Sequence, residues 1–332
     1  MTSTFGVPVR TAAVLDLGVL RLRLATNLEH FGAYEYFARV EPAATPHDYE
    51  VVCIDTDRDE VDLTAVAARA DRSLRAKRFR AGYYLVHYFG EPAYLITTGR
   101  TFVVVGRGLE RTVWPYFVKH ILTIFSADHG YLHLKASALV QPGAGATLLV
   151  GRNGGGKTVF LTHACLGGAE FLTNTHSLIR DGRVHGVPTA VRVRDDSTFG
   201  PLIAERGLVR HMESGDHLAR PELLFDRRAA GPAALRNVVI VDWNPNAPAT
   251  FERIPARAAE LYLDQFAFAV TTYGLKDDLF QHYGFDFDAF TAGLGEMRDH
   301  LRVVTESARC YRANVDMLDV DVRKSVLETL AT

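Results

Sequence analysis

Residues 146–158 read ATLLVGRNGGGKT and decide the fold of the central part of the chain. The last eight of them, 151–158, match the phosphate-binding loop pattern G-x-x-x-x-G-K-[ST]. The five residues before the loop form an apolar run typical of a buried strand, and residues 157–166 predict a helix that ends at Gly167 and Gly168. Strand, glycine loop and helix in this order are the context in which the pattern binds phosphate. The sequence therefore predicts an α/β domain with a nucleotide site.

The residues of this loop have separate predicted roles. Glycines allow backbone N–H groups to turn toward an anion, and the N-terminus of the following helix adds about half a positive charge. We expect Lys157 to reach the β- and γ-phosphates of ATP or GTP, and the Thr158 hydroxyl to bind Mg²⁺. The predicted nucleotide-binding residues are Gly151, Asn153, Gly154, Gly155, Gly156, Lys157 and Thr158.

The composition limits the class of protein. The 332 residues are 48% hydrophobic and 23% charged, close to the average for globular proteins. A net charge of −2 argues against a general nucleic-acid binder. No run approaches the roughly 18 apolar residues of a membrane helix, and the 3 cysteines lack disulfide or metal-ligand spacing. We therefore expect a cytoplasmic protein with no nucleic-acid or membrane partner.

The pattern of apolar residues divides the chain into three predicted parts. Residues 1–112 are rich in strand patterns, with helical periodicity at 62–77, and predict a smaller α+β N-terminal domain. Residues 113–255 predict the phosphate-loop core. From residue 256 the pattern is helical to the end, so residues 256–332 predict a C-terminal helical segment packed on the core.

Motifs around the loop resemble those of a known family. Four segments carry the resemblance: LHLKASALV at 132–140, FLTNTH at 171–176, DGRVHGVP at 181–188, and VVIVDW at 238–243 followed by FER at 251–253. With the loop, residues 130–255 resemble the HPr kinase/phosphorylase group of phosphate-loop kinases, whose catalytic domain shares its fold with phosphoenolpyruvate carboxykinase. The resemblance implies a mixed β-sheet, Mg²⁺, and transfer of the γ-phosphoryl group of ATP to a hydroxyl.

The chain departs from the family pattern at two positions. The strand histidine of the family falls at Lys135, although His133 lies two residues away, on the same face of that strand. The aspartate that serves the family as Mg²⁺ ligand and catalytic base falls on Asn174 or Thr175, and neither can act as a general base. Phosphoryl transfer relies chiefly on positioning and charge neutralisation, so another group must hold the metal and orient the acceptor.

Several side chains are candidates for those roles. Asp242 closes the apolar run 238–241 and is predicted to be an acid and a metal ligand, because ligands bind at the carboxyl ends of parallel strands. Asn174 offers a carbonyl oxygen to Mg²⁺, and His176 can accept a proton from a hydroxyl. Arg253 is predicted to neutralise charge on the transferred group. The predicted catalytic residues are thus Lys157, Asp242, His176 and Arg253, and the predicted metal ligands are Thr158, Asn174 and Asp242.

Each candidate also has an ordinary structural explanation. Asparagine is common in turns and histidine in packed interiors, which would explain Asn174 and His176. Apolar strands often end in aspartate, as at Asp242, and arginine is usually solvated, as Arg253 would be. The pair Asp195 and Asp196 is an alternative source of carboxylates, although such pairs more often cap a turn.

Three functions remain open from the sequence. The first is an ATP-dependent kinase whose acceptor is a hydroxyl of a small molecule, such as a nucleoside or sugar biosynthetic intermediate, or a peptide serine. The second is a nucleotide-binding regulator, or pseudokinase, that has lost the catalytic aspartate. The third is an ATPase that changes the conformation of a partner. The family resemblance also leaves homo-oligomerisation open.

Overall fold

A computed structural model of the chain describes residues 5–64, 70–72, 76–79, 82–85, 93–110, 117–196, 198–211 and 215–332. The chain divides into two compact units. The first unit comprises Met1–Lys119 with His211–Gly215, and the second comprises His120–Arg210 with Asp216–Thr332.

The first unit contains a mixed sheet. Nine strands lie within its described residues: β1 (Thr11–Asp16), β2 (Arg21–Thr26), β3 (Val40–Pro42), β4 (Tyr49–Asp55), β5 (Ala70–Arg72), β6 (Ala76–Phe79), β7 (Gly82–Leu85), β8 (Ala93–Thr98) and β9 (Thr101–Gly106). Their order is β3-β1-β2-β4-β9-β8-β7-β6-β5. β2, β4 and β9 are parallel neighbours, and the remaining pairs are antiparallel. Alternate residues of the inner strands, such as Val52, Ile54, Val103 and Val105, bury a core on one face of the sheet.

Within the described stretches of residues 62–77, residues 63–64 are helical as predicted, whereas the prediction is wrong at 70–72 and 76–77. Ala70–Arg72 and Ala76–Phe79 are strands, paired antiparallel to each other, and β6 pairs in turn with β7. Local propensity is a weak constraint on a short segment, and pairing with neighbouring strands overrides it. The helical spacing of apolar residues in this stretch was therefore misleading.

The second unit combines strands with helices. Its strands are β10 (Leu132–Lys135), β11 (Ser137–Gln141), β12 (Gly145–Val150), β13 (Glu170–Thr173), β14 (His176–Arg180), β15 (Arg183–Gly186), β16 (Val191–Val193), β17 (His217–Ala219), β18 (Ala233–Val241), β19 (Thr250–Arg253) and β20 (Arg309–Asn314). Its helices are α1 (Lys119–His129), α2 (Lys157–Leu166), α3 (Gly200–Arg206), α4 (Pro221–Phe225), α5 (Ala256–Phe266), α6 (Ala269–Thr272), α7 (Lys276–His282), α8 (Phe287–Ser307) and α9 (Val320–Ala331). Within the described ranges, no helix has the length and apolar character needed to cross a membrane.

The main sheet of the second unit is also mixed, so the predicted α/β class is confirmed at that level. Its strands lie in the order β10-β14-β15-β18-β12-β11-β13, and β20 pairs with both β18 and β19. β12, β18 and β20 run parallel to one another. Their register places Val150 beside Ile240, and Val241 beside Ala313. The carboxyl ends of these three strands therefore meet at one edge of the sheet.

Helices cover both faces of this sheet. Successive residues of β12 point to opposite sides, as strand geometry requires, so Leu148 belongs to one core and Leu149 to the other. The first core is closed by α5 and α8, through residues such as Leu263 and Leu301. The second core holds the buried face of α2, including Phe160. The helix that follows the glycine loop is thus anchored by its own apolar residues.

The predicted all-helical C-terminal segment is wrong at β20. Arg309–Asn314 joins the sheet as the parallel neighbour of β18, and it also pairs with β19. Only Cys310, Tyr311, Ala313 and Asn314 of its six residues are buried, so its two arginines interrupt the apolar pattern that marks a central strand. Residues from the C-terminal segment consequently form part of the same edge as the glycine loop.

Two glycines of α8 give a matched test of the packing between helices. A Cβ on Gly293 would lie 2.3 Å from the hydroxyl and 2.8 Å from Cζ of Tyr283, whereas a Cβ on the exposed Gly295 would meet nothing within 4 Å. We expect Gly293→Ala to displace the Tyr283 ring and destabilise the fold by about 1–3 kcal/mol. Gly295→Ala should instead stabilise it by roughly 0.5–1 kcal/mol, because alanine favours helix. Thermal denaturation of both variants measures the difference, and equal melting temperatures would contradict this packing.

Candidate functional site

The glycine loop lies between β12 and α2, at the edge where the parallel strands end. Gly156 precedes α2 with φ of 89°, a left-handed conformation that favours glycine. A Cβ on Gly151 would lie 2.2 Å from the carbonyl oxygen of Val241, so the loop backbone packs directly on the end of β18. The Trp243 N–H also donates to the Gly155 carbonyl at 3.1 Å. The loop is therefore held against β18 by backbone contacts.

This close approach predicts the effect of a single methyl group. Gly151→Ala would press Cβ against a backbone oxygen that cannot turn aside, and we expect a loss of about 1–3 kcal/mol in unfolding free energy. Gly231→Ala is the control, because a Cβ there meets nothing within 4 Å, and its change should stay within about 0.5 kcal/mol. Chemical denaturation measures both. Unchanged stability of Gly151→Ala would mean that the loop does not pack on β18 in solution.

Two lysines converge on the loop. The Lys157 ammonium donates to the carbonyl oxygens of Gly151 and Arg152, at 2.7 Å each. The Lys135 ammonium donates to Oδ1 of Asn153 at 2.8 Å. Burial lowers the pKa of Lys157 to about 8, and the charge of Lys135 adds to that shift. Burial lowers the pKa of Lys135 as well. Two mutually repelling cations beside a glycine loop form a site that an anion would stabilise.

Asp242 lies at the edge where the parallel strands end, which is where the apolar strand before it predicted it to lie. Its backbone N–H donates to the Ala313 carbonyl at 3.1 Å, which fixes the residue directly after β18. Its carboxylate accepts a hydrogen bond from Nε of Arg152, the second residue of the loop, at 2.8 Å. Because the Asp242 side chain is 36% exposed and that of Arg152 61% exposed, this ion pair contributes little stability. The carboxylate is thus accessible and close to the loop.

Asn174 follows β13, and its side-chain oxygen is without a partner among the described residues. Its backbone carbonyl accepts a hydrogen bond from the Ser137 hydroxyl. Its side-chain Oδ1 is buried and makes no hydrogen bond to any residue that the structure describes. A buried oxygen of this kind normally has a donor or a cation beside it. The predicted role of Asn174 as a metal ligand therefore fits the local chemistry.

His176 occupies an interior position that does not suit the predicted general base. Its side chain is buried, with relative exposure of 0%, and its Nδ1 lies 2.8 Å from Nε2 of His133. His133 in turn lies 3.1 Å from the hydroxyl of Thr123 on α1. The contact shows that both histidines point to the same face of the sheet. An acceptor hydroxyl cannot reach His176 in this conformation, so burial argues against the predicted role.

Arg253 is not brought to the loop. It lies on β19 opposite Tyr311, whereas the end of that ladder nearest the loop edge is the pair Thr250 and Asn314. Burial raises the pKa of the Cys310 thiol to about 11, and the charge of Arg253 partly offsets that effect, which places the arginine beside the start of β20. Three residues of strand separate Arg253 from the edge, about 10 Å. The predicted charge-neutralising role is therefore not supported by its position.

The alternative carboxylates have a local structural role. Oδ1 of Asp196 accepts hydrogen bonds from the N–H groups of Thr198 and Phe199, at 3.0 and 3.1 Å. These are the contacts of an aspartate that caps a turn before a helix, here α3. Asp196 therefore caps a turn, which is the structural role that the sequence offered as an alternative to a catalytic one.

Sequence reasoning missed two contacts of the loop. In the sequence, Lys135 is noticeable only as a departure from the histidine of the family, and Arg152 is an unassigned position of the loop pattern. The scarcity of lysine in this arginine-rich chain was a signal that could have drawn attention to Lys135. The partner of Arg152, Asp242, lies 90 residues away in sequence, and no local pattern indicates that contact.

The oxygen ligands predicted from the sequence are of the kind that binds Mg²⁺ together with a nucleotide. Nowhere in the described part of the chain do three or more His, Cys, Asp or Glu side chains form a group that could hold a metal. Mg²⁺ in phosphate sites takes one or two carboxylates, with phosphate and water oxygens completing its shell. The carboxylate of Asp242, the hydroxyl of Thr158 and the orphan oxygen of Asn174 are ligands of this type. The residues present therefore fit the predicted metal.

No protein-family model and no curated protein matches the chain. The resemblance to HPr kinases therefore rests on the motifs around the loop, and the chemistry of the loop is the main indication of function. That chemistry combines a glycine loop at a helix N-terminus, two lysines and one accessible carboxylate.

Proposed function

We propose that the second unit is an ATP-dependent kinase with an HPr kinase-like phosphate-loop fold. It would bind ATP or GTP with Mg²⁺ and transfer the γ-phosphoryl group to a hydroxyl of a small molecule or a peptide. The observation that carries the proposal is the glycine loop packed on the end of β18, with Lys157 at the first position of α2 and Asp242 beside it. We place the reaction in the cytoplasm, where ATP and Mg²⁺ are both abundant.

The loop accounts for binding of the phosphates. The backbone N–H groups of a glycine loop and of the first turn of a helix cradle the α- and β-phosphates, and the helix dipole favours their negative charge. Lys157 now donates to two loop carbonyls, and it can turn its ammonium toward the β- and γ-phosphates instead. Thr158 lies in the first turn of α2, where its hydroxyl would face the metal.

The transfer needs positioning more than a strong base. The bond between the γ-phosphorus and its bridging oxygen breaks, a bond to the acceptor oxygen forms, and the acceptor proton passes to a nearby group or to water. Asp242 is the accessible carboxylate that can hold the acceptor hydroxyl or the metal, once it parts from Arg152. When bound, Mg²⁺ would neutralise charge that develops on the phosphate oxygens. Lys157 would contribute positive charge at the same atoms.

Formation of ADP tests the activity and separates it from the two alternatives. The protein would be incubated with Mg²⁺ and ATP, with and without pools of small-molecule alcohols and serine peptides, and products read by a phosphate mass shift. ADP that forms together with a phosphorylated acceptor supports the kinase. ADP formed equally without any acceptor indicates an ATPase, and tight binding without turnover indicates a regulator. Either of the last two results would overturn the proposed transfer.

A further inference from the structure

We propose that Lys135 is a second phosphate-binding cation, which contacts the terminal phosphate and makes the site selective for nucleoside triphosphates over diphosphates. This inference rests on the proposed function, because it assigns a further residue to the same site. The lysine is neither part of the loop pattern nor of the helix that follows it. It is the last residue of β10, and β11 and β12 lie between it and the loop in the sequence. Its side chain nevertheless contacts the loop, at Asn153.

The backbone of Lys135 is held in place. It is the last residue of β10, its Cα pairs with that of His176, and its N–H donates to the Ala267 carbonyl at 2.5 Å. The half-buried side chain extends from there to Asn153, and the ammonium lies 5.2 Å from the centre of the Tyr273 ring. An amide oxygen and an aromatic face both attract an ammonium group, and they orient it without supplying a negative charge. The strand thus presents a positioned ammonium group to the loop.

Neither lysine of the pair has its charge neutralised by a residue that the structure describes. Across the described residues, Lys135 and Lys157 form no ion pair with a carboxylate, and Asp242, the carboxylate that contacts the loop, pairs with Arg152. Half-buried cations without a counter-charge are costly unless a ligand supplies the negative charge. The chemistry that matches two ammonium groups is a phosphate that bears more than one negative charge, such as the terminal phosphate of ATP.

The positions along the loop indicate which phosphate Lys135 would contact. The Lys157 ammonium donates to the carbonyl oxygens of residues 151 and 152, and the Lys135 ammonium donates to the side-chain oxygen of Asn153. Both ammonium groups therefore lie beside the first half of the loop, away from the amides of the helix N-terminus that cradle the α- and β-phosphates. A chain of phosphates that starts at those amides would present its terminal phosphate to the two lysines. ADP lacks this terminal phosphate, so it would not contact Lys135.

Paired titrations with ATP and ADP test this assignment. The binding of each nucleotide, with Mg²⁺, would be measured by calorimetry for the wild type, Lys135→Met, Lys135→Gln and Lys324→Met. We expect both Lys135 variants to lose about tenfold or more in affinity for ATP and less than about threefold for ADP, since one charge-assisted hydrogen bond is lost with ATP alone. Lys324 is exposed on α9, beside Gly167 at the other end of α2, so its variant should keep both affinities.

The outcomes separate this inference from the proposed function. If both Lys135 variants kept the wild-type ratio of ATP affinity to ADP affinity, the proposed role of Lys135 would be overturned. Binding of ATP by the wild type would still support a nucleotide site at the loop. A wild type that binds neither nucleotide would overturn both. Lys135→Gln covers the case in which the methionine variant fails to fold, because its amide can still bond to Asn153. Lys135→Arg should recover most of the selectivity, since it restores the charge.

Discussion

Lys157→Ala is expected to slow phosphoryl transfer severely and to abolish detectable ATP binding. The substitution removes the ammonium group that the loop places next to the phosphates, so we expect a loss of transfer on the order of 10²–10³-fold. Turnover with a hydroxyl acceptor and calorimetric titration with ATP measure the two effects. The variant should remain folded, because burial lowers the pKa of Lys157 to about 8 and its charged form is therefore disfavoured in the folded state.

The control for this variant is another lysine of the same unit. Lys324→Ala removes an equal charge from the exposed face of α9, and it should keep transfer and binding. Melting temperatures of both variants show whether a loss of activity reflects unfolding. Transfer by Lys157→Ala at the wild-type rate would rule out the mechanism.

Asp242→Asn is expected to remove the Mg²⁺ dependence of ATP binding and to slow transfer by about 100-fold or more, because it replaces the accessible carboxylate of the site with a neutral amide. ATP binding without Mg²⁺ should stay the same or become slightly tighter, since a negative charge near the phosphates is lost. Titrations with and without Mg²⁺, together with turnover, measure these effects. Stability should change by less than about 1 kcal/mol, since the ion pair with Arg152 is exposed.

Arg152→Gln is the matched control for Asp242. It breaks the same ion pair but keeps the carboxylate, so the Mg²⁺ dependence of ATP binding should survive. If Asp242→Asn and Arg152→Gln had the same effect, the ion pair would matter and the carboxylate would not act as a metal ligand. If Asp242→Asn had no effect on Mg²⁺ dependence or on transfer, Asn174 would be the next candidate to hold the metal.

Local patterns predicted the parts of the fold that depend on neighbouring residues. Helix α2 begins at Lys157 and ends at Leu166, as its periodicity and the glycines after it indicated. The turn at Asp181 and Gly182 joins β14 to β15, and both residues adopt the positive φ that such hairpins need. β20 and the strands within residues 62–79 were missed, because only pairing with distant strands stabilises them.

The same distinction applies to the candidate site. The place of Asp242 at the sheet edge followed from an apolar parallel strand that ends in a carboxylate. Arg253 was misplaced because its distance from the loop depends on the register of β19 against β20, which the sequence does not reveal. The contact between Lys135 and Asn153 joins two elements of the fold across the strands between them, and only the structure shows it.

Calorimetric titration of the wild-type chain with ATP, in the presence and absence of Mg²⁺ and beside Lys157→Ala, tests the central claim most directly. We predict binding that tightens with Mg²⁺ and is lost in the variant, as expected of a metal–nucleotide site built from the loop, Lys157 and Asp242. Binding that does not respond to Mg²⁺, or that persists in Lys157→Ala, would contradict it.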